Sequence, residues 1–170
     1  MKEIDHFTYG DSQVALTVMR SSAEHLVKLG KALWSPERLG QALFYGLMPE
    51  EIIVGYAGST PIAAMLLMFQ DEEFWPHVQA GESRFVHKLA VAPAYKGQGV
   101  GHLMLAKAAW EAKAQRANYV RLDCAGDRPK LCHFYESFGF RKVKTQMVGP
   151  YFTAFYELAL ASAGDGLLCL

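Results

Sequence analysis

Val91-Ala92-Pro93-Ala94-Tyr95-Lys96-Gly97-Gln98-Gly99-Val100-Gly101-His102 is the most informative stretch of the chain. An apolar, β-rich run ends at Val91 and Pro93 breaks it. Three glycines then stand at alternate positions, and a helical pattern begins. Glycine lets a backbone turn freely and lets a ligand approach without meeting a Cβ. The first amides of a helix lack partners and carry the positive end of its dipole, a combination that binds phosphate. Lys96 adds a point charge. Two common phosphate loops do not fit. The dinucleotide fingerprint needs glycines at relative positions one, three and six, and a P-loop needs Gly-Lys-Ser/Thr. Here the glycines fall at one, three and five, and Gly101 precedes His102 and Leu103. Taken alone, the stretch is either a phosphate cradle or a tight strand-to-helix connection.

Elements can be read outward from this point. Arg84 to Val91 reads as the strand entering the loop, and Gly101 to about Gln115 as the helix leaving it. Tyr119 to Cys124 is a strand. Arg128 to Phe138 is a helix with Leu131, Phe134, Tyr135 and Phe138 at spacings of three and four, stopped by Gly139. Arg141 to Val148 and Tyr151 to Leu160 close the chain as strands. Upstream, Glu51 to Ala57 and Pro61 to Gln70 form a hairpin pattern around Gly58-Ser59-Thr60. Ile4 to Tyr9 is a first strand. Asp11 or Ser12 caps a helix to about Leu29, with Gly30 as its stop, and Ser35-Pro36-Glu37 opens a second helix striped by Leu39, Leu43, Phe44 and Leu47. The order β-α-α-β-β-β-α-β-α-β-β predicts a mixed, mainly antiparallel sheet of about seven strands with helices on both faces, in the α/β or α+β class.

The composition sets bounds on this picture. The chain has 170 residues, with 17 basic and 17 acidic side chains. That length predicts one domain, and no linker or repeat divides it, so residues 1–170 are expected to form a single unit with 161–170 as a loose tail. Zero net charge argues against nucleic-acid binding by bulk attraction. The three cysteines, Cys124, Cys132 and Cys169, have neither disulfide-framework nor zinc spacing, and His25, His77, His102 and His133 do not cluster, so no metal is expected. Pro61 to Phe69, the longest apolar run, is about half the length that spans a bilayer, and the N-terminus lacks a signal-peptide core. A cytoplasmic protein with reduced thiols and no membrane contact is the expectation.

Lys96-x-x-Gly99-x-Gly101, following a strand that ends in Val-x-Pro, resembles the acetyl-CoA loop of the GNAT superfamily of N-acetyltransferases. His87 to Val91 looks like that family's fourth strand. Phe134-Tyr135-Glu136-Ser137-Phe138-Gly139-Phe140 is similar to its Tyr-x-x-x-Gly-Phe signature. The likeness is specific from about residue 84 to 141 and topological before that. Two positions depart from the family pattern. Lys96 stands where Arg or Gln is usual and lacks a fork of donors. Arg128 stands where many members carry an Asn that contacts the pantetheine arm.

The resemblance implies the acyl-CoA N-acyltransferase fold and an acetyl-CoA-dependent N-acetyltransferase. Its acceptor would be a primary amine of a small molecule or peptide, attacked without a covalent enzyme intermediate. It implies that the backbone of Leu89, Ala90 and Val91 holds the pantetheine arm, and that Lys96, Gly97, Gln98, Gly99, Val100, Gly101 and His102 hold the pyrophosphate, with Arg128 nearby. Tyr135 matches the tyrosine that in many members protonates the leaving sulfur, the position-specific match favouring that role over simple packing with Phe134 and Phe138. Where several members place a Glu base, this chain has Phe85. His87, two residues on, projects from the same strand face, and histidine is a residue type suited to proton transfer, so it is a base or only a contact residue. Glu82, Asp123 or a water chain are the other bases.

The loop Asp71-Glu72-Glu73-Phe74-Trp75-Pro76-His77 falls beside the expected acceptor site. Its acids and Trp75, with Glu82 and Asp123, would bind a cationic amine, or the acids form a solvated loop and Trp75 covers the core. Trp34, Phe44 and Tyr45 are further lining candidates. Cys124 and Cys132 read as inert thiols. A rival function on the same fold is a non-catalytic acyl-CoA-binding or regulatory module. A homodimer through the last strands would use Tyr151, Phe152, Phe155 and Tyr156, and strand packing explains these aromatics equally well.

Overall fold

The computed structural model describes residues 3–161. Its elements are β1 (His6–Tyr9), α1 (Ser12–Lys28), β2 (Ile52–Ala57), β3 (Thr60–Met68), β4 (Ser83–Val91), α2 (Val100–Ala114), β5 (Tyr119–Ala125), α3 (Pro129–Phe138), β6 (Arg141–Val148) and β7 (Tyr151–Ala159). The strands run β1-β2-β3-β4-β5-β7-β6 across a seven-stranded sheet. The β1–β2, β2–β3, β5–β7 and β6–β7 ladders are antiparallel and the β4–β5 ladder is parallel. The expected mixed, mainly antiparallel sheet is therefore observed. No helix among the described residues is long and apolar enough to cross a membrane. Cys169 and the tail from residue 162 lie outside the described residues. Two compact units divide the chain: residues 3–68 with Val86–Lys107, and Phe69–Phe85 with residues 108–161.

In the first unit, α1 starts and stops where its sequence signals stand. Asp11 accepts a hydrogen bond from the Val14 amide at 2.9 Å, and Gly30 turns the chain at φ +67°. Ala15, Leu16, Val18, Met19 and Ala23 pack with Ile52, Val54, Ala64 and Leu66 on one face of the β2–β3 hairpin. Each large side chain so buried contributes roughly 1.5–3 kcal/mol. Gly55 points to the other face, where an added Cβ would lie 2.9 Å from Ile4 Cδ1 and 3.2 Å from Met104 Sδ. The start of α2 thus covers that face closely.

The second helix expected from Ser35 does not form. Only the 3-10 turns Pro36–Arg38 and Gln41–Phe44 appear, because Leu39 and Gly40 between them take extended backbone. Leu39 and Phe44 are nevertheless buried against α1. Arg20 Nε donates to the Leu39 carbonyl at 2.8 Å and pins the segment there. The apolar spacing reported which residues enter the core, not a continuous helix.

In the second unit, Phe155 and Tyr156 are both fully buried on β7 and, as strand neighbours, face opposite sides. Tyr156 meets α3: its hydroxyl donates to Glu136 Oε1 at 2.8 Å and its ring lies 6.1 Å from that of Tyr135. Phe155 meets the loop before β4, with Trp75 edge-on at 5.3 Å and Phe74 at 6.4 Å. The four-aromatic surface expected for a homodimer therefore shrinks to Tyr151 and Phe152, which are 69% and 45% exposed.

Arg121 of β5 is buried among acids. Its Nη1 donates to Glu82 Oε1 at 2.9 Å and to Ser83 Oγ at 2.6 Å, its Nη2 is 3.6 Å from Glu157 Oε2, and its guanidinium lies over the Trp75 and Tyr119 rings. Removing one partner of a buried ion pair leaves charge uncompensated and costs about 3–5 kcal/mol. Glu82 retains some water, so Arg121→Ala is expected to lose about 3 kcal/mol in urea unfolding. A loss below 1 kcal/mol would contradict the anchoring role.

Candidate active site

The glycine loop belongs to the first unit. β4 ends with the Ala92 amide bonded to the Ile62 carbonyl at 2.8 Å, and a 3-10 turn follows at Pro93–Tyr95. Gly97 and Gly99 then adopt φ +73° and +84°, which other L-residues reach only at a cost. The Tyr95 and Lys96 amides bond back to Ala92 and Pro93, and those of His102 and Leu103 bond to the Gly99 carbonyl. Between them, the amides of Gly97, Gln98, Gly99, Val100 and Gly101 find no acceptor among the described residues. The Gln98 side chain folds back to the Ala94 carbonyl at 2.8 Å and steadies the turn. A run of free donors thus ends at the positive pole of a 15-residue helix. This donor set fits a diphosphate. Lys96 is half-buried beside it, and burial holds its ammonium below its usual range.

β4 carries an irregularity on the way to this loop. Lys88 sits at φ +50°, a left-handed conformation that costs a lysine on the order of 1–3 kcal/mol. Its Nζ lies 5.1 Å from the centre of the Trp34 ring. The β4–β5 ladder has three pairs, Ser83↔Tyr119 to Phe85↔Arg121, and ends before this point. His87, Leu89, Ala90 and Val91 and the residues Lys96 to His102 all lie in the first unit. Of the other expected lining residues, Phe44 is buried in the core and Tyr45 is exposed.

The second unit holds Trp75, Glu82, Asp123, Arg128 and Tyr135. Tyr135 is 8% exposed, with Phe134 and Phe140 edge-on at 5.1 and 6.0 Å. Burial first, and then the neighbouring Cys124, Asp123 and Cys132, push its phenol well above the ordinary value, so it stays protonated. The Cys124 thiol is likewise pushed up, by burial and then by Cys132. A thiol held protonated is a poor nucleophile. Glu82 is committed to Arg121. Arg128 stands at the N-cap position of α3 without a side-chain capping bond, its Nε 4.0 Å from Asp127 Oδ1. Trp75 also packs 6.3 Å from Phe85, and its buried Nε1 has no acceptor among the described residues.

Asp123 stands opposite Phe155 in the β5–β7 register and therefore shares that face of the sheet. One of its carboxylate oxygens lies within 4.8 Å of one of Asp71. Asp71 is buried; its Oδ1 accepts from the Phe74 amide at 3.0 Å and its carbonyl accepts from the Trp75 amide at 2.9 Å. The available signal was the Asp-x-x-Phe spacing, which allows an aspartate to cap its own turn. The reach of Arg121 to Glu82 and Glu157 left no such local signal.

The raised groups make stability pH-dependent in a definite sense. Tyr135 and Cys124 gain charge on losing a proton, and burial opposes that. The stability they confer is fully present below their ordinary values of 10.0 and 9.0 and is lost as pH rises through their higher folded values. Lys96, lowered by burial, acts in the opposite sense, and it is unchanged between wild type and a Tyr135 variant. The melting temperature is expected to fall more steeply between about pH 9 and 11 in wild type than in Tyr135→Phe. Equal slopes would contradict this assignment.

Comparisons with known proteins point one way. Residues 20–140 match the profile of the Acetyltransferase (GNAT) family. A Bacillus subtilis (strain 168) protein named uncharacterized N-acetyltransferase YesJ is 26% identical over 139 residues, 78% of this chain and 77% of that protein. A GNAT-family acetyltransferase from Listeria monocytogenes 4b F2365 superposes with a TM-score of 0.74 at 17% identity, covering 91% of this chain and 94% of its own. The structure of yncA from Salmonella typhimurium with its cofactor acetyl-CoA has a TM-score of 0.63 at 13% identity, covering 99% of this chain and all of that one, 100%.

Proposed function

We propose that this chain, which belongs to the acetyltransferase (GNAT) family and is an N-acetyltransferase with acetyl-CoA as donor, passes the acetyl group directly to a primary amine of a small molecule or peptide. The observation that carries this reading is the run of free amides from Gly97 to Gly101 at the start of α2. They hold the pyrophosphate, with Lys96, Gln98 and His102 at the rim and Arg128 as a further contact. The backbone of Leu89, Ala90 and Val91, beyond the end of the β4–β5 ladder, hydrogen-bonds the pantetheine amides. Acetyl-CoA supplies a thioester, whose carbonyl an uncharged amine can attack.

Two proton transfers remain for the chain. Tyr135, kept protonated by burial, gives its proton to the leaving sulfur. His87 takes the proton of the incoming ammonium; Glu82 is tied to Arg121, and Asp123 serves to hold the cation. The raised thiol of Cys124 favours direct transfer over an acetyl-cysteine. Residues 1–170 act as one N-acetyltransferase domain, without a metal and in the cytoplasm. The span of the family match across both units supports the single domain. A homodimer would use Tyr151 and Phe152.

The test pairs binding with an acetyl-transfer screen over amines, polyamines, amino acids, aminoglycosides and peptides. A ligand at 100 times its Kd stabilises by about 2.7 kcal/mol. For a chain of this size that raises Tm by roughly 5–10 °C. No shift with millimolar acetyl-CoA would sink the cofactor site, and no product from any amine would sink the enzyme reading.

A further inference from the structure

We infer that Tyr156 is a positioning residue for Tyr135: its hydroxyl clamps α3 through Glu136 and holds the Tyr135 phenol in the orientation its proton transfer needs. This rests on the acetyltransferase reading above, with Tyr135 as the acid, and adds a residue to that step. The need for a clamp follows from α3 itself. It has 10 residues, and isolated helices shorter than about 12–15 are marginal in water, so contacts with the sheet decide where its side chains point. Its start gives little support, because Arg128 makes no side-chain capping bond. At its end the Gly139 and Phe140 amides bond to the carbonyls of Glu136 and Tyr135 at 3.0 and 3.1 Å. Those bonds stay within the helix and its own turn, so they do not fix its rotation against the strands.

Tyr156 fixes that rotation from β7. It is fully buried, and its hydroxyl donates to Glu136 Oε1 at 2.8 Å. Burial first, and then hydrogen bonds with Cys132 and Glu136, push its phenol above the ordinary 10.0, so it remains a donor. Cys132 and Glu136 stand four residues apart and share one face of α3, so a single hydroxyl meets two successive turns. Lys142 of β6 joins the same carboxylate, with Nζ 3.3 Å from Glu136 Oε1 and 5.5 Å from the centre of the Tyr156 ring. Tyr135 is the residue beside Glu136, and its ring lies 6.1 Å from that of Tyr156. A helix turns as one body, so a rotation that breaks the bond to Glu136 swings Tyr135 with it. The ring contacts of Tyr135 with Phe134 and Phe140 are apolar and non-directional and would permit that swing. The hydroxyl bond is directional and resists it. A displacement of about 1 Å at a reacting group can cost roughly a hundredfold in rate.

The experiment follows coenzyme A release from acetyl-CoA with phenethylamine and with water as acceptors, since both reactions expel the same thiolate. Tyr156→Phe, which removes only the hydroxyl, is expected to lower kcat by about fivefold or more, with the KM for acetyl-CoA within about twofold of wild type. In a Tyr135→Phe background the same substitution is expected to change kcat by less than about twofold, because a residue that acts through the Tyr135 hydroxyl has nothing left to position. Glu136→Ala is expected to match Tyr156→Phe, and Glu136→Gln, which keeps an acceptor oxygen, to recover most of that loss. A smaller loss in Tyr156→Phe, or a loss above twofold in the Tyr135→Phe background, would overturn the inference, whatever the change in melting temperature. The single variants separate the two levels. A fully active Tyr135→Phe rejects the acid reading, whereas an impaired Tyr135→Phe beside an unaffected Tyr156→Phe rejects the clamp alone. No coenzyme A release with either acceptor in wild type rejects the acetyltransferase reading.

Discussion

Gly97→Asp is expected to weaken acetyl-CoA binding about a hundredfold and to leave the apo protein folded. Gly97 has φ +73°, and an added Cβ would meet nothing within 4 Å. Aspartate is among the few residues that tolerate the left-handed region, so the backbone can be kept. Its carboxylate would then lie among the free amides of Gln98 to Gly101 and cap them itself. Like charges about 6 Å apart at an effective dielectric near 20 repel by roughly 3 kcal/mol, which corresponds to about a hundredfold in Kd. Calorimetry gives the affinity, and the melting temperature of the apo protein controls for folding. Unchanged affinity would place the diphosphate elsewhere.

Tyr135→Phe is expected to lower kcat by about 10²–10⁴, the usual contribution of a positioned general acid, with acetyl-CoA affinity within twofold of wild type. The ring contacts with Phe134, Phe140 and Tyr156 do not need the hydroxyl, so packing survives. A phenol at its ordinary 10.0 is already protonated throughout the neutral range; burial raises Tyr135 further, so its proton passes only as charge develops on the leaving sulfur. A fully active variant would leave Tyr135 as a packing residue only.

Features governed by neighbours along the chain were legible. Asp11 and Gly30 bound α1 because capping is local chemistry, and the alternate glycines turn the chain because other residues resist φ near +80°. Residues 36–47 were misread because a helical stripe needs helical backbone at every step, and Leu39 and Gly40 are extended. The burial of Phe155 and Tyr156 depended on covers for both faces of β7, α3 on one side and the Trp75 loop on the other. The ion pair of Arg121 with Glu82 joins residues 39 apart in sequence, and the approach of Asp71 to Asp123 joins a loop to a strand. No periodicity records such pairs. The cofactor loop was therefore readable as a loop, while contacts between distant residues needed the fold.

Direct transfer is the central claim, and intact-protein mass spectrometry under single-turnover conditions tests it. Acetyl-CoA is mixed with excess enzyme and phenethylamine, and samples are quenched through the turnover. The account predicts that acetylated amine appears at the rate of coenzyme A release, with the protein mass unchanged at every time. An acetyl group on Cys124 or Cys132 that forms and decays before product appears would contradict it.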